Sequence, residues 1–363
     1  MNFLADYLKV IEGNIANDYK DNWDHYRYGP EPKSGLRPRV LGAYLNYLNK
    51  KGFFHLQSFV NHNLDDALKF EYLYENLAMK EDKELLLTVL AYRVLGYRKV
   101  KLPLNTPAYW AKLKEIEKQV EKSETIDIPF NDSVLHKFDI SNLGYPIRFY
   151  YSALGVIIDF VIKQYEFKNK NRVIKAEPGD IVIDAGGCWG DTALYFANEV
   201  GDSGKVYSFE FIPNNLHLFE KNVALNTALK DRIEIVKRPV WKDSSTKIYF
   251  KDRGPGSNVS LEPFEDKDGD CVTLCIDDLV SQNGMRKLDF IKMDIEGAET
   301  NALKGAENTI RKFRPKLAIA LYHSFEDFER IPKLIKEMVP EYRFFFSHCT
   351  IYGEESMLFA TID

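Results

Sequence analysis

Through the first 120 residues, apolar side chains recur at spacings of three and four. That is the signature of helices with one buried face. Leu4, Leu8, Ile11 and Ile15 mark one within 1–28, and Leu41, Tyr44, Leu45 and Leu48 mark another over 40–49. Asp65 and Asp66 stand where a helix over 67–79 would start. Leu85, Val89 and Leu90 pattern 81–95, and Trp110, Leu113, Ile116 and Val120 pattern 109–121. The Gly/Pro-rich loop 29–35, Pro103 and Pro107 punctuate the series. Residues 1–125 are therefore expected to form a mainly helical region. Residues 126–175 read as a connecting segment, with alternating strands at 125–129 and 135–140 and an aromatic, then helical, stretch at 145–165.

From 176 to 363 the period changes. Short apolar runs at 181–185, 205–210, 233–238, 288–294 and 316–321 alternate with helical patterns at 192–199, 213–226, 299–313 and 325–339. Such alternation predicts βαβ units and a mostly parallel sheet. A hairpin strand at 247–251, a further strand at 272–276 and a short helix from 276 are expected between the third and fourth runs. The last two runs, 342–347 and 357–361, flank Tyr352-Gly353-Glu354-Glu355 and predict a closing antiparallel hairpin. The fold class is α/β, with an N-terminal helical region.

Composition narrows the function classes. A net charge of −5 gives no basic field for nucleic acid. The longest apolar stretch, 150–162, carries Asp159 and is shorter than the roughly 20 residues of a membrane span. No signal peptide pattern opens the chain, so a cytoplasmic location is expected. Cys188, Cys271, Cys275 and Cys349 are too scattered for a disulfide framework or a zinc site, and read as reduced thiols.

The chemistry begins at Asp180–Thr192, where a strand enters a glycine turn and then a helix. The turn is close to a dinucleotide fingerprint but has Ala185 at its first position and Asp184 at the strand end. A carboxylate there would repel a pyrophosphate at the following helix N-terminus. It suits a cationic, phosphate-free cofactor, S-adenosylmethionine. Gly186, Gly187 and Gly190, with Asp191 and Thr192 at the helix start, complete the expected cofactor turn. Glu210 ends the next strand, placed to accept both ribose hydroxyls, with Phe211 and Ile212 flanking the adenine and Val240 after the third strand. The bland alternative for Glu210 is a surface carboxylate.

A second stretch, Leu288 to Glu299, places Asp294 and Glu296 at a core strand's end, two residues apart on one face. His323 emerges from the next strand. A hydroxyl acceptor must lose its proton as it attacks the methyl carbon, and Glu296 and His323, with Asp294, are the candidate base and orienting groups. Glu299 reads as a helix-start carboxylate, and His323 read blandly is a hydrogen-bonded strand-end histidine. No metal ligand set is assigned. A divalent cation held by Asp294 and Glu296 is the less favoured alternative.

These residues carry a likeness. Val182-Ile183-Asp184-Ala185-Gly186-Gly187, Ser208-Phe209-Glu210-Phe211-Ile212-Pro213 and, above all, Asp289-Phe290-Ile291-Lys292-Met293-Asp294-Ile295-Glu296-Gly297-Ala298-Glu299 resemble S-adenosylmethionine-dependent methyltransferases of the FkbM family. The likeness covers about 175–363. It implies a class I (Rossmann-like) fold, a seven-stranded, mostly parallel sheet with a final antiparallel strand. It implies O-methylation, often of sugars or natural-product hydroxyls. Asp184, Gly186, Gly187, Gly190 and Glu210 match the family's cofactor positions. The acidic residue that many methyltransferases use for the adenine amine is lacking near Pro239-Val240.

The leading expectation is an O-methyltransferase acting on a sugar or nucleotide-sugar. A natural-product (polyketide-type) hydroxyl is the alternative acceptor, and a non-catalytic S-adenosylmethionine-binding module the alternative of another class. Residues 1–125 match no motif, and their role is expected to be a lid, a homodimer contact or acceptor binding.

Overall fold

The computed structural model of the chain describes residues 2–31, 64–118, 121–128, 133–255 and 257–362. The helix expected at 40–49 lies outside the described residues.

Three small strands, β1 (Glu121–Ile128), β2 (Ser133–Asp139) and β3 (Arg148–Tyr151), form an antiparallel sheet, followed by a two-residue ladder of β4 (Phe167–Lys168) and β5 (Val173–Ile174). The apolar runs then give β6 (Ile181–Ala185), β7 (Lys205–Phe209) and β8 (Ile233–Val236). An inserted antiparallel sheet follows, with β9 (Lys247–Lys251), β10 (Asn258–Ser260) and β11 (Gly269–Val272). Then come β12 (Phe290–Met293), β13 (Lys316–Ala320), β14 (Arg343–His348) and β15 (Ser356–Thr361). The main sheet has seven strands in the order β14-β15-β13-β12-β6-β7-β8, and β15 runs antiparallel to both its neighbours. This is the Rossmann-like methyltransferase fold. Strand order reverses between β6 and β12, so the crevice beyond their carboxyl ends is where a ligand is expected.

Both faces of the sheet are covered, which explains why its strands are nearly continuous apolar runs. On one face Ile183, Met293, Leu317 and Phe344 share a core with Phe3, Tyr7 and Ile11 of the first helix and Leu86 and Leu90 of the helix Lys80–Leu95. On the other, Val182, Phe290 and Phe345 pack with Tyr195, Phe196, Phe149 and Phe160. The N-terminal helices are thus continuous with the main core. They also cover the sheet's edge, where unpaired peptide groups would otherwise be open. Ala78 N–H donates to Phe344 O (3.0 Å), and buried Asp82 accepts from Phe346 N–H (3.1 Å).

Three expected helices are broken. The 67–79 pattern resolves into Leu64–Leu68 and Glu71–Asn76. The 299–313 pattern divides into Glu299–Lys304 and Glu307–Phe313. Gly305 sits at that break because a Cβ there would collide with the Trp241 carbonyl. The aromatic stretch 145–165 contributes β3, one turn at Ala153–Val156 and a π-helical turn at Ile157–Ile162. The strand expected at 272–276 ends at Val272, and Leu274 makes only an isolated bridge to Val240. No helix among the described residues is long and apolar enough to cross a membrane.

Candidate active site

The glycine turn is shaped first by packing. Gly186 has φ +93°, and a Cβ there would collide with the Asp294 carbonyl oxygen. Gly190 has φ +81° and precedes the helix Asp191–Val200, where a side chain would enter the Phe219 ring. Only glycine meets both demands.

Asp184 is fully buried. Its Oδ1 lies 3.1 Å from Lys292 Nζ, and its Oδ2 accepts from Ser208 Oγ (2.6 Å) and Thr192 Oγ1 (2.9 Å). Lys292 also donates to Gly186 O (2.6 Å). The carboxylate expected to meet a cationic ligand therefore meets a lysine, and with Thr192 it fastens the turn. The physical reason is register: Lys292 lies directly across from Asp184 in the parallel β6–β12 ladder. Asp191, at the start of the following helix, is buried as well. Its Oδ2 accepts from Tyr151 O–H (3.1 Å), and burial raises its carboxyl to about 6. Gly187 packs on Ser208 and Phe219.

A cavity of about 380 Å³ opens beyond the strand ends, within the range of small-ligand sites. Gly186, Glu210, Phe211 and Val240 form part of its wall, as do Asp294 and Glu296. The insert between β8 and β12 overhangs it through Pro255, Val259 and Leu261. Glu210 is held rigidly. Its Oε1 accepts from the N–H groups of Phe211 (2.6 Å) and Ile212 (2.8 Å), and its Oε2 from Asn215 Nδ2 (3.1 Å). Burial outweighs these bonds and pushes its carboxyl up to about 7.

At the other end of the cavity four titratable groups converge. Asp294 accepts from the hydroxyls of Tyr322 (2.8 Å, Oδ1) and Tyr165 (3.1 Å, Oδ2). His323 Nε2 lies 3.5 Å from Asp294 Oδ1 and 3.6 Å from Glu296 Oε2, and its Nδ1 lies 3.0 Å from Glu299 Oε1. Glu299 is fully buried and also accepts from Ile295 N–H (2.8 Å). Burial disfavours a charged His323, but the Glu299 contact and the Asp294 and Glu296 charges prevail and push it up to about 9. His323 thus carries its proton at neutral pH, which suits an orienting group and not a resting base. Glu296 is exposed, and its backbone stands at φ +54°, a strained conformation for a side chain of its size.

Asp294, Glu296, Glu210, Gly186, Phe211 and Val240 thus meet at one cavity, which Asp184, Gly187, Gly190, Asp191 and Thr192 do not line. Sequence reasoning missed Lys292, Tyr165, Tyr322 and Asn215. Lys292 carried a signal, a lone cation inside an apolar strand. Tyr165 arrives from the distant connecting segment, where nothing marked it among many aromatics.

Residues 173–350 match the model of the methyltransferase FkbM domain. Among solved structures, methyltransferase FkbM from Methylobacillus flagellatus KT is 17% identical, with 85% of this chain and 62% of that one covered, and a TM-score of 0.52. The chain spans about six-tenths of the length of that protein, and the likeness shows a shared fold. Aeropyrum pernix fibrillarin in complex with natively bound S-adenosyl-L-methionine is 12% identical, covering 66% of this chain and 99% of that one, with a TM-score of 0.36. A SAM dependent methyltransferase from Aquifex aeolicus is 16% identical over 62% of this chain and all of its own (100%), with a TM-score of 0.35. No curated protein matches the chain. The segment 173–350, which carries the glycine turn, Glu210 and the Asp294–Glu299 stretch, is thus an FkbM-type methyltransferase domain.

Proposed function

We propose that this chain is an S-adenosylmethionine-dependent O-methyltransferase acting on a sugar hydroxyl, in a nucleotide-linked sugar or a surface-polysaccharide precursor. One observation carries the reading: Glu210 and the Asp294–Glu296 pair stand in the wall of one cavity.

The residues present fit the cofactor. Glu210 offers a buried carboxylate for the ribose hydroxyls, and Phe211 and Val240 offer apolar wall for the adenine. Gly186 lies in the wall at the carboxyl end of β6, where the methionyl portion would pass. When bound, S-adenosylmethionine supplies an electrophilic methyl group on a sulfonium that keeps the C–S electron pair as it leaves. Glu296, exposed in the cavity wall, takes the acceptor hydroxyl's proton as the new O–C bond forms. Protonated His323 holds Glu296 and Asp294 in place. Fixed alignment of oxygen, methyl carbon and sulfur supplies the remaining acceleration. In this reading 176–363 carries the reaction, and the helices of 1–125 brace the far edge of the sheet.

The test is methyl transfer from tritiated cofactor by the full chain to a panel of nucleotide-sugars and hydroxylated natural products. Label on a sugar oxygen supports the reading. Label only on a natural-product hydroxyl, or on nitrogen, overturns the sugar assignment.

A further inference from the structure

We propose that Asp294, Glu299 and His323 form a binding site for a divalent first-row cation of the Mn²⁺ type, beside the same cavity, which Asp294 lines. One carboxylate oxygen from each acid and one imidazole nitrogen lie within 4.8 Å of one another, close enough to ligate a single ion. The site deepens the methyltransferase reading, since such an ion would hold an acceptor oxygen, but it rests on the side-chain geometry alone.

Three independent observations support it. The first is an orphaned atom. Glu299 is fully buried, its Oε1 accepts from Ile295 N–H, and its buried Oε2 has no hydrogen-bond partner among the described residues. A buried carboxylate oxygen without a donor is costly, and a cation removes that cost. The second is charge. Asp294, Glu296 and Glu299 surround one imidazole, while the nearby buried cation, Lys292, is engaged by Asp184 and the Gly186 carbonyl. An ion bound here takes the place of the His323 proton, since only the neutral imidazole ligates, and the carboxylates supply the charge that holds it. The third is outer support. The hydroxyls of Tyr165 and Tyr322 each donate to Asp294, the kind of contact that orients metal ligands. The ligands come from the end of β12, the start of the helix Glu299–Lys304 and the segment after β13, so the fold itself holds them together.

Two carboxylates with one imidazole suit Mn²⁺ better than the all-oxygen preference of Mg²⁺ or Ca²⁺. Asp294 lines the cavity and Glu296 stands beside it, so an ion here faces the space assigned to the acceptor.

The probe is MnCl₂ alone, titrated into chelator-treated full-length protein, with free Mn²⁺ read by electron paramagnetic resonance. One saturable site per chain is expected. Glu299→Gln and His323→Gln should each weaken it by about 10–100-fold. Circular dichroism confirms that the variants fold, and Asp294→Asn replaces any that does not. Thermal stabilisation by MnCl₂ should appear in the wild type and be absent from the variants. Absence of saturable binding, or binding that the substitutions leave unchanged, overturns the site. S-adenosylhomocysteine binding in chelator-treated protein is measured in parallel. Retained cofactor binding with no Mn²⁺ site rejects the ion alone, and an Mn²⁺ site without cofactor binding rejects the methyltransferase reading alone.

Discussion

Lys292 Nζ lies 3.1 Å from Asp184 Oδ1, and both side chains are essentially inaccessible to solvent. The pair joins the ends of the two central strands at the point where strand order reverses. Lys292 also reaches the Gly186 carbonyl, so one ammonium fixes both the strand and the turn that follows it. Removing one partner from a buried pair costs far more than replacing both. Lys292→Met should destabilise the protein by about 3–5 kcal/mol in urea unfolding. Lys292→Met with Asp184→Asn should be more stable than Lys292→Met alone, and strictly additive losses would contradict the pairing.

Glu210 links cofactor binding to pH. Its carboxyl is pushed up to about 7 by burial, yet only the ionised form accepts from both ribose hydroxyls. S-adenosylhomocysteine affinity should therefore rise from pH 6 to pH 8, with proton release on binding, and Glu210→Gln should flatten the profile. Calorimetry in buffers of different ionisation enthalpy reads both. The stability sign is opposite. The folded carboxyl binds its proton more tightly than the unfolded one, so its contribution is full below the ordinary carboxylate range and lost as pH rises through about 7.

Asn222, in the helix Pro213–Ala224, and Asn226, just beyond its end, join the small sheet to that helix. Asn222 accepts from Tyr150 N–H (2.8 Å) and donates to the carbonyls of Tyr150 (3.1 Å) and Trp189 (2.9 Å). Asn226 repeats the peptide-like pairing at Arg148, accepting from its N–H (2.9 Å) and donating to its carbonyl (2.6 Å). Asn222→Ala would leave buried peptide groups unpaired and should cost about 2–4 kcal/mol in urea unfolding. A loss near zero would mean that water replaces the amide.

The main sheet was legible because each strand is a short apolar run between helices. Glu210, Asp294 and Glu296 were legible because acidic residues at strand ends stand out from such runs. The pairing of Asp184 was not legible, for a reason that lies outside its own neighbourhood. Its partner is 108 positions away and becomes visible only through the β6–β12 register. The broken helices at 67–79 and 299–313 keep a helical apolar period across their breaks. At Gly305, where one helix ends, the Trp241 backbone leaves no room for a side chain, a tertiary contact that the local sequence does not reveal. The clustering of Glu299 with His323 likewise needed the positions of β12 and β13.

Glu296 faces the cavity without a hydrogen-bonded role in the core, so its loss should separate chemistry from binding. Glu296→Gln should lower kcat by about 10²–10⁴-fold while changing S-adenosylhomocysteine affinity less than about twofold. Near-normal turnover in this variant would remove Glu296 as the base.

The most direct test is calorimetric titration of the full-length protein with S-adenosylhomocysteine. One site per chain is predicted, weakened about tenfold or more in Glu210→Ala by loss of charge-assisted hydrogen bonds. No binding to the wild type, or equal binding to Glu210→Ala, would contradict a cofactor site in this cavity.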